Sequence, residues 1–146
     1  MRFEEIKSII MNLIIKPSSS IASIQQNFQA QFPYLKIEFY KVKHETGEAS
    51  AKENTLSGAI ILEDVFPKLK EGIITLTPSL KVLELEQLFA KNFGVSVQVF
   101  HKSGNVWLQT TRTDHWTLLE QNKHAEEKEH PLPDTFIDAM DRQELE

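Results

Sequence analysis

The sequence predicts an α+β fold, a two-layer sandwich in which a mainly antiparallel sheet carries helices on one face. Three observations support it. Short segments alternate apolar and polar residues, as in LKIEFYK (35–41) and VSVQVFH (95–101), the pattern of a sheet buried on one side. Two longer segments place apolar residues at helical spacing. These segments also recur as a unit, strand, helix, strand, so that residues 12–41 and 73–102 form an internal β-α-β duplication.

Along the chain, Phe3, Ile6, Ile9, Ile10 and Leu13 fit a helical period, while LIIK (13–16) reads as a strand, so the first 13 residues admit either state. PSSSIASIQQNFQAQFP (17–33) is then a helix entered from a strand. Pro17 stops the extended run and a serine follows to cap the first turn. Ile21, Ile24, Phe28 and Phe32 form one buried stripe, and Pro33 ends it. After the strand at 35–41, HETGEASAKENTLSG (44–58) reads as a polar loop or weak hairpin, and Ala59 to Leu62 as a further strand.

IITLT (73–77) opens the second copy and leads into PSLKVLELEQLFAKNFG (78–94). Its stripe is Val82, Leu85, Phe89 and Phe93, with Gly94 as the C-terminal stop. At an offset of 61, five of 17 positions in the two helical segments agree: Pro17/Pro78, Ser18/Ser79, Gln26/Gln87, Phe28/Phe89 and Phe32/Phe93. About one match is expected from residue frequencies. The strands that follow align with one residue of slippage.

VSVQVFHKSGNVWLQTT (95–111) is a hairpin. A Ser103-Gly104 loop pairs His101 with Val106, Phe100 with Trp107, Val99 with Leu108 and Gln98 with Gln109. Val95, Val97, Val99, His101, Val106 and Leu108 then face the helices. Ser96, Gln98, Phe100, Trp107, Gln109 and Thr111 face away. Thr117-x-x-Glu120 has the spacing of a capping box and starts a helix running to about Glu127. The domain therefore spans 1–127. Residues 128–146 form an acidic tail with one short amphipathic turn around Phe136, Ile137 and Met140, which either docks on the body or awaits a partner.

Two resemblances add to this reading. Without the first strand, the order α-β-β-β-α-β-β-α resembles that of type III secretion chaperones, which implies a dimeric, holdase-like protein with an apolar groove on its helices. The stretch VSVQVFHKSGNVWLQTTRTDHWTLLEQN (95–122) resembles a family of small bacterial proteins of unknown function, which implies no activity.

Composition narrows the function further. The 146-residue chain has the size of one domain able to bury its own core. Without cysteine it has no thiol nucleophile, thiolate metal site or disulfide scaffold, and a cytoplasmic location is expected. The apolar run from Ile9 to Ile15 follows Glu4 and Glu5 and precedes no cleavage motif, so neither a signal peptide nor a membrane span is expected. The net charge of -5 is concentrated at 126–146, where eight acids stand against two bases. The near-neutral body argues against a nucleic-acid partner.

The main functional candidate is the outward face of the sheet. Tyr40 holds in the first copy the place of Phe100 in the second, so Tyr40, Gln98, Phe100, Trp107 and Gln109 form a partly apolar surface. This points to a non-enzymatic interaction domain that binds itself, as a homodimer, or another protein.

The rival is a small-molecule site or enzyme using His101, Arg112 and His115, which requires the three to converge on one pocket. His101 lacks a neighbouring nucleophile, and its parity places it with the valines. Asp114 belongs to the turn before the helix rather than to a dyad with His115. His124 and Glu127 sit three apart on this helix, with His130 beyond, and could hold a metal, yet two ligands on a solvated helix seldom bind one. Thr110, Thr111, Arg112 and Thr113 invite an anion but read as a threonine-rich strand end. No metal or cofactor is expected.

Overall fold

The computed structural model describes residues 11–41 and 52–130. In chain order the elements are β1 (Met11–Ile15), α1 (Ile21–Gln31), β2 (Leu35–Tyr40), the single-turn α2 (Leu62–Val65) and β3 (Gly72–Leu76). They continue with α3 (Val82–Phe93), β4 (Ser96–Ser103), β5 (Val106–Gln109) and α4 (Leu118–Glu129). Short 3-10 turns lie at Lys52–Asn54 and Thr111–Thr113.

The fold is α+β with antiparallel sheets, but the strands form two sheets rather than one, β1-β3 and β2-β4-β5. The reason lies in the duplication. The two strands of one unit do not pair with each other; each pairs with its counterpart in the other copy. Leu13 opposes its equivalent Ile74, and Glu38 its equivalent Gln98, so an approximate two-fold relates the copies. The offset is 61 through the first strands and helices and 60 through the second strands. Pro33 and Tyr34 occupy in the first copy the space that Gly94 fills alone in the second, in the left-handed conformation at φ 65°.

The repeat also runs further than the sequence indicates. The amides of Ile21 and Ala22, at the start of α1, donate to the carbonyls of Ile60 and Gly58, both at 2.9 Å. Those of Val82 and Leu83, at the start of α3, donate to Trp116 and Asp114 at 3.0 and 2.8 Å. Leu62 N–H returns to Ser19 O, and Leu118 N–H to Leu80 O. Each helix therefore has first-turn amides satisfied by the backbone of the loop that closes its own copy.

This arrangement corrects two expectations. The helices begin three residues after the anticipated serines, with Ser20 and Lys81 as N-caps, because Pro17 and Pro78 sit in turns closed by Ser19 N–H to Lys16 O and Leu80 N–H to Thr77 O. Ser20 Oγ accepts from Ser23 N–H at 3.1 Å; at Lys81 the Glu84 carboxylate accepts the backbone N–H at 2.8 Å. Ala59 to Leu62 is not a strand. Ile61 makes one bridge to Ser20, and Leu62 starts α2, because this segment's carbonyls are used at the head of α1.

The two apolar stripes land where the periodicity puts them. Ile21, Ile24, Phe28 and Phe32 are buried, as are Val82, Leu85, Phe89 and Phe93. They meet Leu13, Ile15, Ile74 and Leu76 of one sheet and Leu35, Ile37, Phe39, Val97 and Val99 of the other in a single core. Phe39 and Phe89 join the copies edge to face, with centroids 5.6 Å apart. Burying each such side chain contributes about 1.5–3 kcal/mol.

The capping box forms as read. Thr117 Oγ1 accepts from Glu120 N–H at 3.0 Å, and the Glu120 carboxylate accepts from Thr117 N–H at 3.1 Å. α4 runs on to Glu129 and is tied down along its length. Asn122 Oδ1 accepts from Tyr34 N–H at 2.8 Å, and Glu129 accepts from the hairpin's Gly104 N–H at 2.7 Å. The alternative of a helix over residues 3–13 fails at Met11, where β1 begins; residues 1–10, the loop 42–51 and the tail turn at Phe136, Ile137 and Met140 lie outside the described residues. Among the described residues the order β-α-β-α-β-α-β-β-α departs from that of the secretion chaperones, and no helix there is long and apolar enough to cross a membrane.

Candidate interaction face

Lys36, Glu38 and Tyr40 on β2 alternate with the core residues Leu35, Ile37 and Phe39, and so lie on the opposite side of the sheet. The β2–β4 register adds Ser96, Gln98 and Phe100 to the same side, and the β4–β5 register adds Lys102, Trp107 and Gln109.

The hairpin turns one residue later than expected. Its loop is Gly104-Asn105, between the paired Ser103 and Val106, with Gly104 at φ 60° as the first loop residue. Positive φ at that position suits glycine, as in a type II′ turn. The register thus shifts by two, which keeps each residue on its expected face but changes its partner. Phe100 opposes Gln109 and Trp107 opposes Lys102, so the two aromatics are diagonal neighbours.

Lys36 joins them. It stands directly opposite Phe100, and its ammonium lies 5.5 Å from the Phe100 ring centroid and 5.1 Å from that of Trp107. The same ammonium is 3.2 Å from the Glu38 carboxylate. A cation shared by two aromatic faces fixes both rings and keeps a charge at their centre. Around them opens a shallow depression of about 700 Å³, bordered by Tyr40, Lys52, Thr55, Asn105 and Gln109. Phe100, Trp107 and Gln109 are half-buried along it.

Two residues expected at this surface are instead interior. Tyr40 is 1 % exposed and Gln98 fully buried. Tyr40 is covered because the chain returns beside β2: Thr55 bridges to Tyr40, Leu56 N–H donates to Phe39 O at 2.8 Å, and Lys41 N–H to Asn54 O at 2.9 Å. This return is the first copy's counterpart of β5; of the polar loop or weak hairpin read at 44–58, residues 44–51 lie outside the described residues. Burial pushes the Tyr40 phenol up to about 12, against the hydrogen bond from Thr55; the Glu38 and Glu86 carboxylates push it the same way as burial.

Gln98 is covered by α3, whose Glu86 accepts from Gln98 Nε2 at 3.3 Å. The first copy repeats the contact with the groups exchanged, Gln25 Nε2 of α1 donating to Glu38 at 3.3 Å. Gln25 also donates to the Ile37 carbonyl at 2.8 Å. Neither Lys36 nor these helix partners was singled out from sequence. The signal was present, since offsets of 61 and 60 pair Gln25 with Glu86 and Glu38 with Gln98.

The other candidates are dispersed. His101 is half-buried between Leu35 and Leu108, with Nδ1 3.4 Å from the Lys102 carbonyl. Burial pulls its pKa below the usual 6.5, with Lys128 and His124 pushing the same way and the Lys102 carbonyl opposing. His115 is exposed and lies toward Glu120 at the other end of α4, and Arg112 is exposed in the 3-10 turn. Among the described residues the three thus stand apart, His101 toward Lys128 and His124 and His115 toward Glu120. Val106 and Leu108, expected against the helices, are exposed, because among the described residues the helices pack mainly on β2 and β4.

Asp114 serves through its carbonyl, which accepts from Leu83. Thr110 donates to Val99 O and Thr113 accepts from Gln121, both structural roles. His124 packs edge-on against Trp116, and His130 against Tyr34. Among the described residues no three His, Cys, Asp or Glu side chains are grouped to hold a metal.

Fold and face together define a duplicated α+β domain with an open aromatic depression on one sheet. No known protein family, curated protein or solved structure matches the chain.

Proposed function

We propose that this chain is a non-enzymatic interaction domain that uses the β2-β4-β5 face, centred on Phe100 and Trp107, to bind a second copy of itself or another protein. The observation that carries this reading is the pair of half-buried aromatics held by Lys36 in an open depression. Aromatic side chains are enriched at interfaces, and tryptophan is among the types that dominate their energetics. The breadth of the depression suits a protein surface better than an enclosed small-molecule pocket. The absence of cysteine from the sequence supports a cytoplasmic setting.

Sedimentation velocity on the full chain and on Trp107→Ala tests this. The expected result is a concentration-dependent dimer for the native chain and a monomer of unchanged circular dichroism for the variant. A native chain that stays monomeric, and whose contacts with cellular proteins survive Trp107→Ala, would overturn it.

A further inference from the structure

We infer that the occupant of this face is the chain's own C-terminal segment, with Phe136, Ile137 and Met140 seated against Phe100 and Trp107. The inference rests on the reading of the face as a binding surface and names its resident occupant, which a second copy or another protein must displace to bind there.

The first argument is where the described chain ends. The last residues of α4 are fastened beside the hairpin: Glu129 accepts from Gly104 N–H, and His130 Nε2 is 2.9 Å from the Tyr34 hydroxyl. Asn105, the next residue of that turn, borders the depression. α4 stops at His130, whose φ of -127° and ψ of 66° leave the helix, and Pro131 follows it. Five residues separate His130 from Phe136, and the six Cα–Cα steps between them reach about 20 Å when extended. That is ample to pass the hairpin tip from the helix side of a single sheet layer to the other, since packed layers lie about 10 Å apart.

The second argument is charge. Lys36, Lys52 and Lys102 stand on or beside the depression, and Glu38 is engaged by Lys36 and Gln25. The segment 131–146 carries Asp134, Asp138, Asp141, Glu144 and Glu146 against one base, Arg142. Phe136, Ile137 and Met140 are interleaved in sequence with the first three acids, so seating them on the rings would bring carboxylates near the lysines. Tethering at His130 raises the segment's effective concentration to the millimolar range, which favours docking within one chain over docking between chains.

The test uses the full-length chain carrying Trp116→Phe, so that Trp107 is the sole tryptophan. Acrylamide quenching of Trp107 is compared between the native tail and the tail bearing Phe136→Asp, Ile137→Asp and Met140→Asp. The expected result is a several-fold rise in the quenching constant with the substituted tail and a red-shifted emission. High salt should raise quenching of the native-tail chain toward that of the substituted one, because it screens the lysine–carboxylate attraction. Protection of Trp107 should not change on dilution. In a Trp107→Phe chain, where only Trp116 reports, the tail substitutions should leave quenching unchanged.

Equal quenching of Trp107 with both tails would overturn the inference. So would protection that disappears on dilution, which would assign the contact to a second copy. If quenching is insensitive to the tail while Trp107→Ala still abolishes dimerisation, the tail inference fails and the interaction face stands. If the tail substitutions expose Trp107 but Trp107→Ala leaves assembly intact, the tail contact stands and the role of the face in assembly fails.

Discussion

Glu38 faces Gln98 across the central strand pair, and each is held from its own copy's helix by the complementary group, Gln25 for Glu38 and Glu86 for Gln98. An amide and a carboxylate have changed places between copies while the contact persisted at the same 3.3 Å. The duplication thus preserves an interaction rather than residue identities, and locks each helix to the strand that follows it.

The two contacts should differ in weight, because Gln98 is fully buried and Glu86 nearly so, whereas Gln25 and Glu38 are half-exposed. Gln98→Leu removes an amide donor from a buried carboxylate and should cost about 2–3 kcal/mol, against about 1 kcal/mol for Gln25→Leu. Urea denaturation of both variants measures this; equal losses would show that burial does not set the difference.

Gly72 is required by its neighbour rather than by its backbone. A Cβ there would stand 2.9 Å from Cε1 and Cζ of the Phe93 ring, which closes the second aromatic stripe. Gly72→Ala should cost about 1–3 kcal/mol. Thermal melts would show the same substitution to be much milder in a Phe93→Leu background, a coupling that a purely local strand effect would not produce.

Tyr40 should ionise late. With Tyr34→Phe leaving it as the only tyrosine, its phenolate absorbance should appear near pH 12 rather than 10. Because the folded value is raised, its contribution to stability is complete below pH 10 and is lost as the pH rises from 10 toward 12. A normal titration in the folded protein would mean that the Thr55 return does not cover the ring.

His101 acts in the opposite direction. Its folded value lies below 6.5, so the native state binds fewer protons than the unfolded chain near that pH. The contribution is complete above 6.5 and is lost as the pH falls through the lowered folded value. His101→Leu should flatten the fall in urea midpoint between neutral pH and about pH 5, while Lys128 and His124, which face it, are left in place. An unchanged slope would assign that acid sensitivity to other groups.

Much of this was legible locally. Ile21, Ile24, Phe28 and Phe32, with Val82, Leu85, Phe89 and Phe93, declare two helices and their buried faces, because a 3.6-residue period records one side of a helix wherever it packs. The Thr117–Glu120 box marked the start of α4 for the same reason: both partners lie within one turn. The face carrying Phe100 and Trp107 survived a two-residue change of register, since alternation depends only on parity. Lys36, by contrast, reaches the rings only through the pairing of β2 with β4, which no local pattern encodes.

By itself, then, the sequence determined the α+β class, the duplication, the helical stripes and the side of the sheet on which the aromatics stand, all of which follow from short-range periodicity and capping. Only the tertiary structure decided that equivalent strands pair across copies into two sheets, that the loops at Gly58–Ile61 and Asp114–Thr117 satisfy the heads of the helices, and that Tyr40 and Gln98 are buried while Phe100 and Trp107 are half-buried. Each of these depends on backbone groups and side chains brought together from distant parts of the chain, where burial is set by what returns to cover a residue and not by its own neighbours in sequence.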